Sequence, residues 1–443
     1  MSRRRRRSRL PQGEFEAHID DMAHDGRGVA RVNDKATFIQ GGLPGERVRF
    51  RYLKTGKRHD EGVVTEVLEA APDRVAPRCP HYAICGGCSL QHLDPAAQIA
   101  AKQAVLLDNL RKLGQVEPGE VWVPLTAEPW GYRRKARLGV KRVPKKGRVL
   151  VGFRERGSSK VAELDECHVL HPRVGRILPQ LSELIEGFSI RDRLPQIEMA
   201  MDDERCVLIF RHLEPFSEAD LERLRRFGHE HDIVPYLQPG GPDTVAPLDP
   251  PGVDLRYALP SQGLELGFLP GDFTQVNTAI NRQMVDRAMQ LLAPQPHETA
   301  LDLFCGVGNF TLPLARHARE VVGVEGDAGL VSRARENARR NGLDNVAFYT
   351  ANLYEELEPA AWQDRQYDIA LLDPPRSGAQ PILPLLPRLG VQRILYISCY
   401  PGTLARDAGE LVRDHGYRLL GAGVMDMFPH TGHVESIALF ERG

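Results

Sequence analysis

No stretch of the chain approaches the about 18 uninterrupted apolar residues of a membrane-spanning helix. The basic start MSRRRRRSRL is followed by PQGEFEAHID, which has no apolar h-region, so an export signal is not expected. Cysteine is scarce, with 7 in 443 residues at unequal spacings. That excludes a disulfide scaffold and points to a reducing compartment with metal-binding or catalytic thiols. The expected location is the cytoplasm. There is no internal repeat. Hydrophobic residues at 42% and charged residues at 26% are ordinary globular values, which excludes a disordered or fibrous chain. The length exceeds one ordinary core and implies two or three domains.

Net charge is also nearly absent, at −1, but its distribution is uneven. Residues 1–60 hold 15 Lys/Arg against 8 Asp/Glu, a net +7. Residues 131–160 hold 12 Lys/Arg against the single acid Glu155, a net +11, which leaves −19 for the other 353 residues. One charge run is usually a solvated face. Two dense basic blocks in a neutral chain are better read as a footprint for a polyanion, with nucleic acid the favoured partner. Arg133, Arg134 and Lys135 head the second block and are expected to touch phosphate.

From Phe15 to about Ala71 the sequence reads as some five short strands, EFEAHIDDM, GVARV, ATFIQ, ERVRFRYLK and EGVVTEVLEA, punctuated by glycine. That pattern suggests a small barrel of the OB type, a fold that often binds oligonucleotides. Pro72 to Pro80 marks a boundary. Pro95 to Leu113 reads as a helix with Ile99, Leu106, Leu110 and Leu113 on one face and Gly114 as its stop. Mixed α and β signals follow, up to the linker LQPGGPDTVAPLDPPG. After Leu264 strands and helices alternate through ALDLF, VVGVE, VAFYT, YDIALLD and RILYIS, which predicts a parallel, doubly wound α/β sheet.

The first of these strands ends in a glycine turn, Leu301-Asp302-Leu303-Phe304-Cys305-Gly306-Val307-Gly308-Asn309. Glycines there let the backbone approach a ligand, and the next helix offers its N-terminus, although tight strand–helix turns use glycine for packing as well. The second strand ends at Glu325, 19 residues after Gly306, where an acid can accept both ribose hydroxyls of a nucleoside. NAD and S-adenosylmethionine both fit. The third glycine of a dinucleotide fingerprint is absent, which favours adenosylmethionine. The fourth strand delivers Asp373-Pro374-Pro375-Arg376, where two prolines fix a rigid backbone at the carboxyl edge. Asp373 is either presented to a ligand or a helix cap. The fifth strand delivers Cys399 just before a helix whose dipole should lower its pKa; a buried inert thiol is the plain alternative. Glu435 opens the last apolar run, SIALF, and could serve as a general base. His430 and His433 fit structural roles equally well.

A second constellation is Cys79, Cys85 and Cys88 with Cys167, where Gly86-Gly87 gives close backbone access. Four thiolates suit tetrahedral zinc or a [4Fe–4S] cluster, and spacing alone does not separate them. Cys206 and Cys305 read as structural.

Together the motifs FTQVN (273–277), DLFCGVGNF (302–310), DPPR (373–376), SCYPGT (398–403) and FPHTGHVES (428–436) resemble the RNA uracil-C5 methyltransferase family. The resemblance spans nearly the whole chain. It implies a Rossmann-like class I methyltransferase domain over 263–443, preceded by a basic arm (1–11). A TRAM (OB-like) barrel over 12–71 and a central α+β domain over 72–262 complete the implied plan. Within the family, the branch acting on 23S rRNA carries the barrel and an iron–sulfur cluster, whereas the tRNA branch lacks both. This chain has the cysteines and the β-rich N-terminus, so the resemblance selects [4Fe–4S] and 23S rRNA, with a monomer expected. It further implies Cys399 as nucleophile and Glu435 as base. Gln275, Phe304, Asn309, Glu325, Asn352 and Asp373 match adenosylmethionine positions.

The chemistry needs such a pair. Uracil C5 is a poor nucleophile until a thiolate adds at C6, and the C5 proton must then be removed to release the thiolate. Two other readings compete with this one. One is an RNA-binding or iron–sulfur sensor with an inactive methyltransferase fold, which intact Cys399, Asp373 and Glu435 disfavour. The other is an N-methyltransferase using the Asp-Pro-Pro-Arg turn, which would need neither Cys399 nor Glu435.

Overall fold

A computed structural model describes residues 10–443, His24, Glu356 and Leu357 excepted. The Arg3–Arg7 run lies outside the described residues. The chain divides into two compact units, Met1–Lys102 with Phe428–His433, and Gln103–Met427 with Val434–Gly443. Among the described residues no helix is long and apolar enough to cross a membrane.

The first unit opens with six strands: β1 (Phe15–His18), β2 (Asp21–Met22), β3 (Gly28–Val32), β4 (Lys35–Gln40), β5 (Arg47–Thr55) and β6 (His59–Glu69). They form one sheet in the order β1-β5-β6-β4-β3-β2, with β4 and β6 parallel and the other pairs antiparallel. The first expected strand is divided in two, because Ile19 leaves the ladder and donates its N–H to Glu46 O at 2.9 Å. Alternate positions supply the core, Ile19, Ala30, Ile39, Val48 and Phe50, as a two-residue period requires. Glu46 is buried, yet its carboxyl is held below the usual range: burial opposes this, but Arg74 and the N–H groups of Leu43 and Ala71 outweigh it. This ion pair ties the sheet to the segment that carries Cys79, Cys85 and Cys88.

Helix α1 (Pro95–Asn109) leads into the second unit, and a π-turn, Leu110–Gly114, follows it. The expected apolar face holds for Ile99, Leu106 and Leu110, which are buried, but Leu113 is 60% exposed. The wider π-turn rotates Leu113 off the face that 3.6-residue periodicity assigned to it. Gly114 is also more than a stop, because a Cβ there would stand 2.5 Å from Ala405 O.

The second unit begins with β7 (Glu120–Val121), β8 (Lys135–Val143), β9 (Arg148–Gly152), α2 (Pro172–Gly175) and α3 (Leu178–Glu186). Next come β10 (Gln196–Met201), β11 (Cys206–Arg211), α4 (Glu218–His231), β12 (Val234–Gln238) and β13 (Ala246–Pro247). Strands β8 to β13 form a sheet in the order β13-β12-β11-β10-β8-β9. A hairpin, β14 (Leu255–Leu259) and β15 (Leu264–Phe268), leads to α5 (Thr278–Leu292).

The remaining elements are β16 (Thr299–Leu303), α6 (Thr311–Ala315), β17 (Glu320–Glu325), α7 (Ala328–Arg340), β18 (Val346–Thr350) and β19 (Ile369–Leu372). They end with α8 (Leu385–Arg388), β20 (Arg393–Ser398), α9 (Pro401–Asp414), β21 (Tyr417–Met425) and β22 (Glu435–Arg442). Their sheet runs β18-β17-β16-β19-β20-β22-β21-β7. Strands β16 to β20 are parallel, and the strand order reverses direction after β18, so right-handed crossovers put the two groups of connections on opposite faces. The expectation of a wholly parallel sheet is corrected here: β22 runs antiparallel to both β20 and β21. That reversal brings the start of β22 to the edge where β16, β19 and β20 end.

Candidate active site

After β16 the chain turns sharply, with Phe304 at φ +65°, Gly306 at +55° and Gly308 at +95°. A bulky residue in the left-handed region is strained and persists only where its surroundings hold it. The Phe304 N–H donates to Val324 O at 2.9 Å, and its ring packs on Tyr354 with centroids 5.8 Å apart. Glu325, at the end of β17, accepts from the N–H groups of Gly306 and Asp327, each at 3.1 Å. The acid expected from the spacing therefore stands on the glycine turn. A carboxylate has about four lone-pair sites, so acceptors remain for ligand hydroxyls.

Asn352 is exposed after β18 and accepts from Tyr354 N–H at 3.1 Å. No motif or spacing singles out Tyr354. Its hydroxyl donates to Gly378 O at 2.7 Å and accepts from Ser377 at 2.9 Å, which fastens this connection to the one after β19. Asn309 forms a reciprocal amide pair with Asn281 of α5, both bonds 3.0 Å, and accepts from the Tyr257 hydroxyl at 2.9 Å. It is the joint between the glycine turn, α5 and β14. Gln275 is half-buried two residues before Asn277, whose side chain caps α5 through Ile280 N–H.

Beneath the turn, Asp302 is fully buried and accepts from the Thr311 hydroxyl at 2.6 Å. Burial pushes its carboxyl up to about 8, with Asp373 and Glu325 adding repulsion against the Thr311 bond. Its Oδ1 has no hydrogen-bond partner among the described residues. Asp302 belongs to the DLFCGVGNF motif, but the motif alone gives it no role.

Three strand ends bring Asp373, Cys399 and Glu435 together. Leu372 pairs with Tyr396, and Ser398 pairs with Ser436. Asp373 follows Leu372, Cys399 follows Ser398, and Glu435 precedes Ser436. Their proximity shows in their acidities. Burial raises the Cys399 thiol to about 11; Glu435 and Asp373 push the same way, while Arg376 opposes by its charge and a hydrogen bond to the sulfur. Glu435, itself buried, is raised well above the carboxylate range by burial and by Asp373, against Arg376. Burial pushes Asp373 up to about 7. The expectation that the helix dipole favours thiolate at Cys399 is thereby corrected: burial and two facing carboxyls outweigh it. Arg376, the fourth residue of the proline turn, is the cation of this site, a role that the DPPR motif does not reveal by itself.

The second basic block needs a correction of its own. Lys135 donates to the carbonyls of Pro270 and Asp272, and burial pushes its ammonium below the usual range. Arg134 pairs with Asp203 at 3.0 Å and donates to Asp202 O, while Arg133 donates to Lys135 O at 3.0 Å. These three hold the β8 entrance to its surroundings. Lys141 and Lys145 are exposed and form no ion pair among the described residues.

Cys79, Cys85 and Cys88 lie in the first unit, where Cys85 and Cys88 are buried and Gly87 N–H donates to Cys85 Sγ at 3.3 Å. The 428–433 segment packs on the same loop: Ser89 and Leu90 N–H donate to His430 O, and Gly432 N–H donates to Ser89 Oγ at 3.0 Å. This gives His430 a backbone role. Cys167, in the second unit, is half-buried and donates its N–H to Gly175 O at 2.8 Å. Among the described residues no disulfide forms, and no group of three or more His, Cys, Asp or Glu is gathered for a metal ion. Cys206 and Cys305 are buried, and burial raises Cys206 to about 12 and Cys305 well above the thiol range, as inert thiols require.

Curated proteins named 23S rRNA (uracil(1939)-C(5))-methyltransferase RlmD are similar over the whole chain. That of Alkalilimnicola ehrlichii is 58% identical over 439 residues, 99% of each chain. That of Methylococcus capsulatus is 53% identical over 443 residues, 100% of each. The chain belongs to the RNA uracil-C5 methyltransferase family. The tRNA (Uracil-5-)-methyltransferase family model matches residues 253–443 of it. Among solved structures, the Pyrococcus abyssi tRNA (uracil-54, C5)-methyltransferase in complex with S-adenosyl-L-homocysteine shares the fold. Its TM-score is 0.73 at 24% identity, over 96% of this chain and 100% of that one. The Rossmann-like class I sheet is therefore the β16–β22 sheet, and DLFCGVGNF, DPPR, SCYPGT and Glu435 fall where its strands β16, β19 and β20 end and β22 begins.

Proposed function

We propose that this uracil-C5 methyltransferase family member transfers the methyl group of S-adenosylmethionine to C5 of a uracil in 23S rRNA. The observation that carries the reading is the convergence of Cys399, Glu435, Asp373 and Arg376 at one sheet edge, beside the Glu325 glycine turn. The Cys399 thiolate adds to uracil C6, and the electron pair of the 5,6 double bond is held as an enolate. C5 then takes the methyl group from the sulfonium, releasing S-adenosylhomocysteine. Glu435 in its carboxylate form removes the C5 proton, the double bond reforms, and the thiolate leaves. Arg376 opposes the forces that keep the thiol protonated. Gln275, Phe304, Asn309, Glu325, Asn352 and Asp373 form the adenosylmethionine site, with Glu325 on the ribose; Gln275 and Asp373 also reach the base.

The first six strands are read as the TRAM barrel over 12–71, which presents the chain to RNA. Cys79, Cys85, Cys88 and Cys167 would hold a [4Fe–4S] cluster. The donor chemistry fits, with three thiols in one short loop and an N–H bond already on Cys85 Sγ. When bound, the cluster supplies metal–ligand energy to folding. The target base must leave its stack, which costs a few kcal/mol and favours a loop substrate. The test is to map uracil methylation on 23S rRNA from a strain lacking the gene, before and after complementation. One C5-methyl site should vanish and return. An unchanged map contradicts the reading.

A further inference from the structure

The turn that carries Asp373 and Arg376 is anchored to a buried carboxylate that touches neither ligand site. Asp407 of α9 is fully buried. Its Oδ2 accepts from Ala379 N–H at 2.7 Å and from the Tyr396 hydroxyl at 2.6 Å, and its Oδ1 accepts from Arg406 Nε at 2.7 Å. Arg406 continues the chain of bonds by donating to Ser377 O at 2.9 Å. The approach is close enough that a Cβ at Gly378, which has φ +81°, would stand 2.6 Å from Asp407 Oδ2. The hydroxyl of Thr403, also on α9, donates to Arg376 O at 3.2 Å.

One side chain thus binds three parts of the site. The 377–379 backbone closes the turn behind Arg376. Tyr396, on β20, lies three residues before Cys399. Helix α9 begins two residues after Cys399. A buried carboxylate with three donors is costly to disturb: the Tyr396 hydroxyl would lose its acceptor in a buried position, while Ala379 N–H would keep only its 2.9 Å bond to the Tyr396 hydroxyl.

We propose that Asp407 is a positioning residue that locks the Arg376 turn against the Cys399 strand, so that the guanidinium stays on the sulfur. This rests on the reading of Cys399 as nucleophile. Glu435 from β22 and Asp373 and Arg376 from the β19 turn face that sulfur, and of these three Arg376 is the one that favours thiolate. If the turn drifts, the sulfur keeps its two carboxyl neighbours and loses its cation.

Asp407→Asn keeps the shape but removes the charge and turns one of the two acceptor oxygens, which together take three bonds, into a donor. The full chain, prepared anaerobically, would be alkylated with iodoacetamide at pH 9, with Cys399→Ala as the blank for the other cysteines. Loss of half a unit of thiol acidity corresponds to about threefold slower reaction. We expect at least that slowing in Asp407→Asn, with the same direction and a smaller size in Tyr396→Phe, which removes one donor to Asp407 and one acceptor of Ala379 N–H but leaves the Ala379 and Arg406 bonds to the carboxylate. A role in packing alone would loosen the site, expose the thiol and speed alkylation; unchanged or faster alkylation overturns the proposal. If Asp407→Asn fails to fold, Tyr396→Phe decides by the same criterion. The nucleophile reading fails separately, through a wild-type chain that forms no adduct with 5-fluorouracil RNA.

Discussion

Cys399 directly follows β20 and Glu435 opens the antiparallel β22, so the two stand at the same end of the pair Ser398 and Ser436. The ladder brings a thiol and a carboxyl to the same edge, and burial raises the pKa of both, the thiol to about 11 and the carboxyl well above the carboxylate range.

The raised Cys399 thiol has a pH signature. With the Cys399 thiol pushed up to about 11, the thiolate fraction grows about tenfold per pH unit below that value. Iodoacetamide should accordingly modify Cys399 of the wild type about tenfold faster for each unit between pH 7 and 10. A rate already level at pH 7 to 8 contradicts the raised acidity.

Asp302 makes a stability prediction. Its carboxyl is raised to about 8 in the folded chain and ionises near 4 once unfolded. The folded state thus holds the proton longer. Its stabilising share is whole below pH 4, declines by about 1.4 kcal/mol per unit up to about 8, and is then level. Asp302→Asn removes this dependence. Urea midpoints of the cofactor-free variant and wild type should diverge in the variant's favour from pH 5 to pH 8; parallel curves would refute it.

The RNA footprint is predicted to depend on the exposed part of the second basic block. Lys141→Glu with Lys145→Glu should weaken RNA binding and lower the salt slope by about one for each phosphate that is no longer neutralised. Lys135→Glu should instead destabilise the second unit, since its ammonium serves two carbonyls in a buried position. A salt slope untouched by the double variant moves the footprint elsewhere.

The proposed cluster is tested by metal analysis. Anaerobically purified protein should be brown with about four irons per chain, and Cys85→Ser should lose both colour and stability. Colourless protein with stoichiometric zinc would overturn it.

Much of this site could be read directly from the chain. Glycine positions, an acid at a fixed distance from Gly306, and prolines after a strand each have local causes, so Glu325, Asp373 and Cys399 fall where expected. Glu435 comes from the motif, but its place depends on β22 running antiparallel, which alternation of strands and helices does not reveal. Arg376 and Asp407 act through the shape of one turn, and no spacing rule encodes that. Lys135 and Arg134 mislead because a charge count ignores which cationic groups are buried or paired. Leu113 misleads because a single π-turn breaks a helical period.

The most direct test of the central claim is covalent trapping on RNA containing 5-fluorouracil at the target position. Fluorine cannot leave as a cation, so wild-type protein with S-adenosylmethionine should give a protein–RNA band that survives denaturing electrophoresis. Glu435→Gln should give the same band on ordinary uracil RNA, because the adduct forms, the methyl group transfers, and the C5 proton is not removed. Cys399→Ala, alone or with Glu435→Gln, should give none while binding S-adenosylmethionine normally. A band from Cys399→Ala, or normal turnover by Glu435→Gln, would contradict the assignment.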